Sequence, residues 1–309
     1  MLKWNRAVIT CKTETTAGVD AEPTAADNAI LARNIVLKPI VTQRDARNVV
    51  LPHFGNMGEV VAGSFQELSY DVEMAGGGAA GTAPGWGPVI KACGFSETIN
   101  SGVSVVYAPI STAESSATQY VYVDGKHFKL TYSKGNVVLM LEAGKVPLLR
   151  FRFQGLYVAP TDTALPAPTL TAFQAPLAVN KVNTTPFTLH SYAGKFRSLE
   201  IDAGNQISYR NLPNFEGIVF TGRQSRGRAV LEDELMATKD WYAIIKAGTA
   251  GALAVTHGTA AGNKVAIAAA GAQLEESDLS NESGIAMNTM PFNLRPSSAG
   301  NDEFTLTVT

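Results

Sequence analysis

One short amphipathic pattern occurs twice, about half a chain length apart, and it constrains the fold more than any other feature. The first copy is Trp86-Gly87-Pro88-Val89-Ile90-Lys91-Ala92, with Gly94 close behind. The second is Trp241-Tyr242-Ala243-Ile244-Ile245-Lys246-Ala247, followed by Gly248. In each, an apolar pair follows the tryptophan by three and four residues, and Lys-Ala comes next. That spacing puts the tryptophan and the pair on one helical face and the lysine off it. Pro88 suits a first helical turn, Asp240 can cap the second copy, and a glycine can close each end. The repeat predicts a duplicated unit in which Trp86 and Trp241 are equivalent buried helix anchors.

Strand patterns surround both copies. Leu68, Tyr70, Val72 and Met74 alternate with Ser69, Asp71 and Glu73, a half-buried strand. Ile35–Ile40 reads as another. After the first helix come a strand at 103–109, a Ser/Thr/Ala loop at 111–119, and two strands flanking Asp124-Gly125, a strong hairpin signal. Strands at 136–142 and 148–153 follow. Prolines between 159 and 168 predict a stiff linker. The second half repeats the plan loosely, with strands at 187–190, 196–202 and 218–221. Then come a charged loop at 222–234, the Trp241 helix and a Gly/Ala/Thr turn. A strand at 263–267, an acidic loop around 275–282 and a strand at 304–308 complete it.

Signs of chemistry are thin. Gly76-Gly77-Gly78-Ala79-Ala80-Gly81 formally matches GxGxxG. A dinucleotide site needs a continuous apolar strand before it and a helix starting within the glycines. Here the strand alternates, and Pro84 and Pro88 delay the helix, so a loop is the better reading. His53, His127, His190 and His257 are scattered without metal-ligand spacing. No catalytic, cofactor or metal residues are assigned. Arg223, Arg226 and Arg228 precede Glu232, Asp233 and Glu234 closely, which suits an ion network better than a phosphate site.

The net charge is −2, so no basic field points to nucleic acid. Charged residues make up 17% of the chain, below the roughly 25% of ordinary soluble domains. Such a surface fits coverage by neighbouring subunits. Cys11 and Cys93 lack CxxC spacing and read as reduced, small apolar residues. No apolar run approaches a membrane span, and no secretory segment is expected.

Several segments together resemble a family. Glu14-Thr15-Thr16-Ala17-Gly18 and Ala25-Ala26-Asp27-Asn28-Ala29 are similar to the opening of major tail tube proteins of long-tailed, siphovirus-type bacteriophages. So are the strand Glu67–Met74, the Gly-Ala loop, Pro84, Trp86, and Ile90-Lys91-Ala92-Cys93-Gly94-Phe95. Gly144-Lys145-Val146-Pro147 and Phe151-Arg152-Phe153-Gln154-Gly155 resemble the closing strand of such a module. The resemblance implies rings that stack into a hollow tube, in the virion, assembled in the host cytoplasm. It also implies tape measure and tail terminator or tip proteins as partners, and DNA passing through the lumen without specific binding.

The expected fold is mainly β (α+β), with two tandem modules, each a bent antiparallel sheet with one short packed helix. Residues 1–160 form the first module with an N-terminal arm, 161–186 the linker, and 187–309 the second. Three chains would then supply six modules, a trimeric ring with pseudo-sixfold symmetry; a hexamer with the second half outside is the alternative. Glu14 and Thr15 of the arm, Gly76 and Gly78, and the cluster Arg223, Arg226, Arg228, Glu232, Asp233 and Glu234 are expected at inter-ring contacts, ordered by the adjacent ring. The lumen is expected to be neutral to acidic, with the arginines facing away from it. A tandem β-domain fibre or decoration protein, and an enzyme on the glycine loop, are the competing classes.

Overall fold

In the computed structural model, which describes residues 1–309, the alternation around Leu68 becomes the centre of a long strand with Leu68, Tyr70 and Val72 in the core. The first half contains β1 (Ala7–Thr13), β2 (Ala29–Ile30), β3 (Ala32–Ala46), β4 (Glu59–Glu73), α1 (Gly87–Lys91), β5 (Phe95–Asn100), β6 (Ser104–Pro109), β7 (Ala117–Val123), β8 (Lys126–Glu142) and β9 (Leu148–Tyr157). β10 (Thr161–Asp162) leads into the second half. There follow β11 (Thr184–Leu189), β12 (Phe196–Asp202), β13 (Asn205–Leu212), β14 (Phe215–Arg223), β15 (Arg226–Glu232), α2 (Trp241–Ala247), β16 (Ala250–His257), β17 (Val265–Leu274), β18 (Asp278–Glu282), β19 (Ile285–Leu294) and β20 (Thr305–Val308). The protein is mainly β, with antiparallel sheets and two short helices.

The pairing order is the same in both halves. Neighbours in the first run β1-β7-β8-β9-β4-β3. In the second they run β11-β16-β17-β19-β15-β12. Chain order matches too, with the helix after the fifth and before the second strand of each series. The 17-residue β8 corresponds to β17 and β18 together, since β18 continues the ladder along β19 after a break at 275–277. The long β3–β4 hairpin corresponds to β12–β13 returning through β14–β15.

The halves are not separate bodies. β8 pairs with β12, so eight strands run without interruption as β3-β4-β9-β8-β12-β15-β19-β18. On the other side of the core, the β5–β6 hairpin of the first half pairs with β20, which pairs with β17. Phe95 meets Phe304 there edge-on at 5.6 Å. A single buried cluster of 47 residues draws on both halves.

The segment expected as a linker is bound along its length. Thr161 and Asp162 pair with β8, Val179 is buried and exchanges backbone hydrogen bonds with Gly144 and Lys145, and the Leu177 carbonyl meets His257 Nε2 at 3.1 Å. Its scattered apolar residues find a surface, so the prolines shape a strap rather than a spacer.

Candidate functional site

The eight-strand run presents one face to the core and the other outward. In antiparallel pairs, opposed residues share a face, so the registers trace rows across the sheet. One row is Arg33, Asp71, Arg150, Val138, Asp202, Arg226 and Asn293, crossing seven strands and both halves. The next is Glu73, Leu148, Met140, Glu200, Arg228 and Pro291. The intervening residues Val72, Leu149, Leu139, Ile201 and Phe292 point into the core and are fully or almost fully buried.

This outward face is polar and carries charges of both signs. Glu67, Asp71, Glu73, Glu142, Glu200, Asp202, Glu232, Asp278 and Glu282 stand on it with Arg33, Lys38, Arg150, Arg152, Arg226 and Arg228, while Arg197 bridges Glu142 and Glu282 and Lys195 reaches Glu232. Arg150 Nε bonds Asp71 Oδ1 at 3.0 Å, and that carboxylate raises the guanidinium's affinity for its proton. Asn136 Nδ2 donates to Asp202 Oδ1 at 2.6 Å, with Arg226 3.9 Å from the same carboxylate.

These positions correct the reading of 222–234 as a loop. Arg226–Glu232 is strand β15, because Ala229 and Leu231 are buried while Arg226 and Arg228 alternate outward. Arg223 ends β14 and is turned inward. Its guanidinium donates to Glu303 Oε1 at 2.9 and 3.1 Å, the Ile110 carbonyl at 2.8 Å and Asn301 Oδ1 at 2.9 Å. Glu232 and Glu234 share Lys195, at 2.8 and 3.6 Å, and Asp233 accepts from Asn288 Nδ2 at 3.2 Å. The six charged residues therefore go to different partners rather than pairing with one another.

The other expected contact segments are held by the chain itself, which corrects the view that an adjacent ring must order them. Glu14 is buried and accepts from the Gly18 amide at 2.8 Å, the Tyr132 amide at 2.7 Å and the Thr118 hydroxyl at 2.8 Å, with Ser116 beside them. The carboxylate thus closes the arm onto β7 and β8, and Thr15 next to it is exposed. In the glycine loop, the Gly76 amide donates to Asn263 Oδ1 and the Gly78 amide to the Gly262 carbonyl, each at 2.8 Å. A Cβ at Gly76 would fall 2.2 Å from the Gly262 carbonyl oxygen, so glycine there permits contact between the halves. Two of the loop's amides are thus committed to the second half.

The two helix tryptophans, Trp86 and Trp241, are buried at 1% exposure. Trp86 Nε1 donates to the Ala75 carbonyl at 2.9 Å, whereas Trp241 Nε1 has no acceptor. Among the titratable groups, His127 stacks on Tyr122 at 4.3 Å with its Nε2 unpartnered, and burial pushes its pKa down. Burial pushes the thiols of Cys11 and Cys93 up, the opposite of a reactive cysteine. No three His, Cys, Asp or Glu side chains gather as a metal set. No helix is long and apolar enough to cross a membrane.

Two features escaped the sequence reading. The tip of the β3–β4 hairpin exposes Val49, Val50, Leu51 and Phe54, and its stem exposes Ile40, Val60 and Val61. The outer strands of the run, β3 and β18, each pair on one side only, with Val36 and Leu279 exposed along them. Apolar residues outside any periodic run were the available signal. Among known proteins, no family model and no curated sequence matches the chain.

Proposed function

We propose that this chain is a structural virion protein whose copies form rings that stack into the hollow tail tube of a long-tailed bacteriophage, with DNA passing through the lumen. The observation that carries this reading is the eight-strand run: two halves of equal strand order joined edge to edge, polar on one side, with an unpaired strand at each end. An exposed sheet edge invites another strand, and closure into a ring removes the liability. Three chains would supply six halves, hence a trimer with pseudo-sixfold symmetry, built in the host cytoplasm before joining the virion. In this reading the polar, mixed-charge face lines the channel. Its carboxylates oppose the phosphate backbone, and Arg226 and Arg228 stand among Glu200 and Asp202 rather than in a basic track that would hold DNA by counterion release. Arg226 and Arg228 then face the channel, whereas Arg223, locked against Glu303, does not. Stacking contacts fall to the apolar β3–β4 tip, since Glu14, Gly76 and Gly78 are already engaged.

The test is negative-stain imaging and native mass measurement of the concentrated protein. Rings of three chains that stack into tubes are expected. A chain that stays monomeric at every concentration overturns the reading. Six chains per ring, with one half of each lining the channel, overturns the trimer. The Val50→Asp and Phe54→Asp double variant should give rings that do not stack, and normal tubes would remove the tip from the stacking contact.

A further inference from the structure

The junction between the halves has a counterpart that a single chain leaves open. Inside the chain, the last stretch of β8 takes β12 along its free side. Glu142 lies opposite Ser198, Met140 opposite Glu200, Leu139 opposite Ile201 and Val138 opposite Asp202. Strand order makes β18 the second half's version of that stretch of β8, and β3 the first half's version of β12. Each has one partner and one bare side, and they sit at opposite ends of the eight-strand run.

We propose that β18 of one copy pairs antiparallel with β3 of a second copy, in the register of the β8–β12 junction. The partner is thus another copy of this chain, and the proposal rests on the ring-forming reading above. The ladders alone set the register. Ser280 faces Met287, which faces Glu232, as Met140 faces Leu148, which faces Glu73. Asp278–Glu282 therefore occupies the place of Val138–Glu142. On the other strand, Arg33, Val36 and Lys38 face Asp71, Ser69 and Glu67 of β4, as Ser198, Glu200 and Asp202 face Val230, Arg228 and Arg226 of β15. Carrying the internal junction over puts Arg33 opposite Glu282, Val36 opposite Ser280, Leu37 opposite Leu279, and Lys38 opposite Asp278.

Two consequences were not used in setting this register, and both favour it. Both cations in the paired stretch of β3, Arg33 and Lys38, meet a carboxylate on β18, on the outward face, where opposite charges across a strand pair attract. On the core face, Leu37 meets Leu279. Leu279 is 53% exposed in the single chain, yet its internal counterpart Leu139 and the residue opposite, Ile201, are both 0% exposed. The exposed leucine is the one that the junction would bury. A hydrogen-bonded strand edge supplies affinity and its side chains supply register.

The experiment uses the full chain with Leu37→Cys and Leu279→Cys together, oxidised with copper phenanthroline at concentrations where rings form. Cys11 and Cys93 are fully buried and do not compete. Covalently linked oligomers are expected on a non-reducing gel, with each single-cysteine variant staying unlinked. In parallel, Asp278→Lys with Glu282→Lys should raise the concentration needed for half-assembly by on the order of tenfold, and adding Arg33→Glu with Lys38→Glu should restore it. Unchanged melting of the monomer checks that the edge variants fold. Wild-type rings without the cross-link, or without the charge-swap rescue, overturn this junction and leave the ring reading standing. Linking by Leu279→Cys alone overturns it in favour of a two-fold β18–β18 contact. A wild-type chain that never assembles overturns both.

Discussion

The two helices began as the same pattern and ended in different surroundings. α1 buries Val89 and Ile90 completely, its tryptophan packs on Tyr107 at 5.1 Å, and it lies beneath the β5–β6 hairpin and β1. α2 buries only Trp241, with Ile244 and Ile245 half-buried and Tyr242 exposed. Local chemistry runs the other way. α2 has the better caps: the Asp240 side chain accepts from the Ala243 amide at 2.8 Å, and Gly248 closes the end with φ 62°. α1 has no side-chain cap at its start, with a proline in its first turn instead. A helix that the core covers needs little from its ends, and one near the surface relies more on its own caps.

Five measurements would break or sharpen this contrast between covered and open parts of the molecule. The largest effect is expected from Trp86→Ala, which should cost about 3–5 kcal/mol in urea unfolding. Trp241→Ala should fall at or below the bottom of that range, because its half-exposed neighbours can close the gap; equal losses would break the comparison. The strand ends differ next. Glu14→Ala leaves two amides and two hydroxyls without their acceptor and should cost about 2–3 kcal/mol, against about 1 kcal/mol for His190→Ala, whose ring meets only the Ala272 carbonyl. Third, Arg223→Ala should cost about 2 kcal/mol, since it frees the buried Glu303, while Arg226→Ala on the open face should stay within about 0.5 kcal/mol.

A finer pair separates the indoles. Trp86→Phe removes the donor to the Ala75 carbonyl and should cost about 1 kcal/mol more than Trp241→Phe, whose Nε1 has no acceptor to lose. The smallest effect concerns pH. Burial lowers the pKa of His127, of His190 and of His257. Each takes up a proton less readily when folded than when unfolded. Stability is therefore complete above the ordinary histidine range and falls as pH drops through it towards the lowered folded values. Melting temperatures from pH 8 to 5 check this, and His127→Gln should flatten part of the slope. A flat profile in the native chain would remove all three from the balance.

Short-range chemistry carried much of the fold into the sequence. Asp124-Gly125 forms its hairpin with both residues at positive φ, and the alternation at 64–74 became β4. The caps of α2 lie where Asp240 and Gly248 put them, because cap, turn and alternation are decided within a few residues. The β strand at Ala250–His257 was read as a turn, since alanine and glycine have little strand preference of their own. It exists because Leu253 and Val255 are buried between β11 and β17. β18 was read as an acidic loop and is a strand because β19 offers it an edge.

The candidate surface was less legible still. Charges at 33, 71, 150, 202 and 226 are unremarkable along the chain and become one row only when register aligns six strands. Arg223 and Arg226 are three residues apart, yet one is locked against Glu303 and the other stands on the open face. Spacing alone cannot separate them, since the bend between β14 and β15 redirects the chain and the partners come from segments far away in sequence. What the sequence determined by itself were the two helices, the hairpin and the alternating strands, because each is set by neighbours within one turn or one strand. Which strands pair, which charges share a face and which edges stay open were decided only in the tertiary structure, because register depends on burying two distant apolar faces against one another.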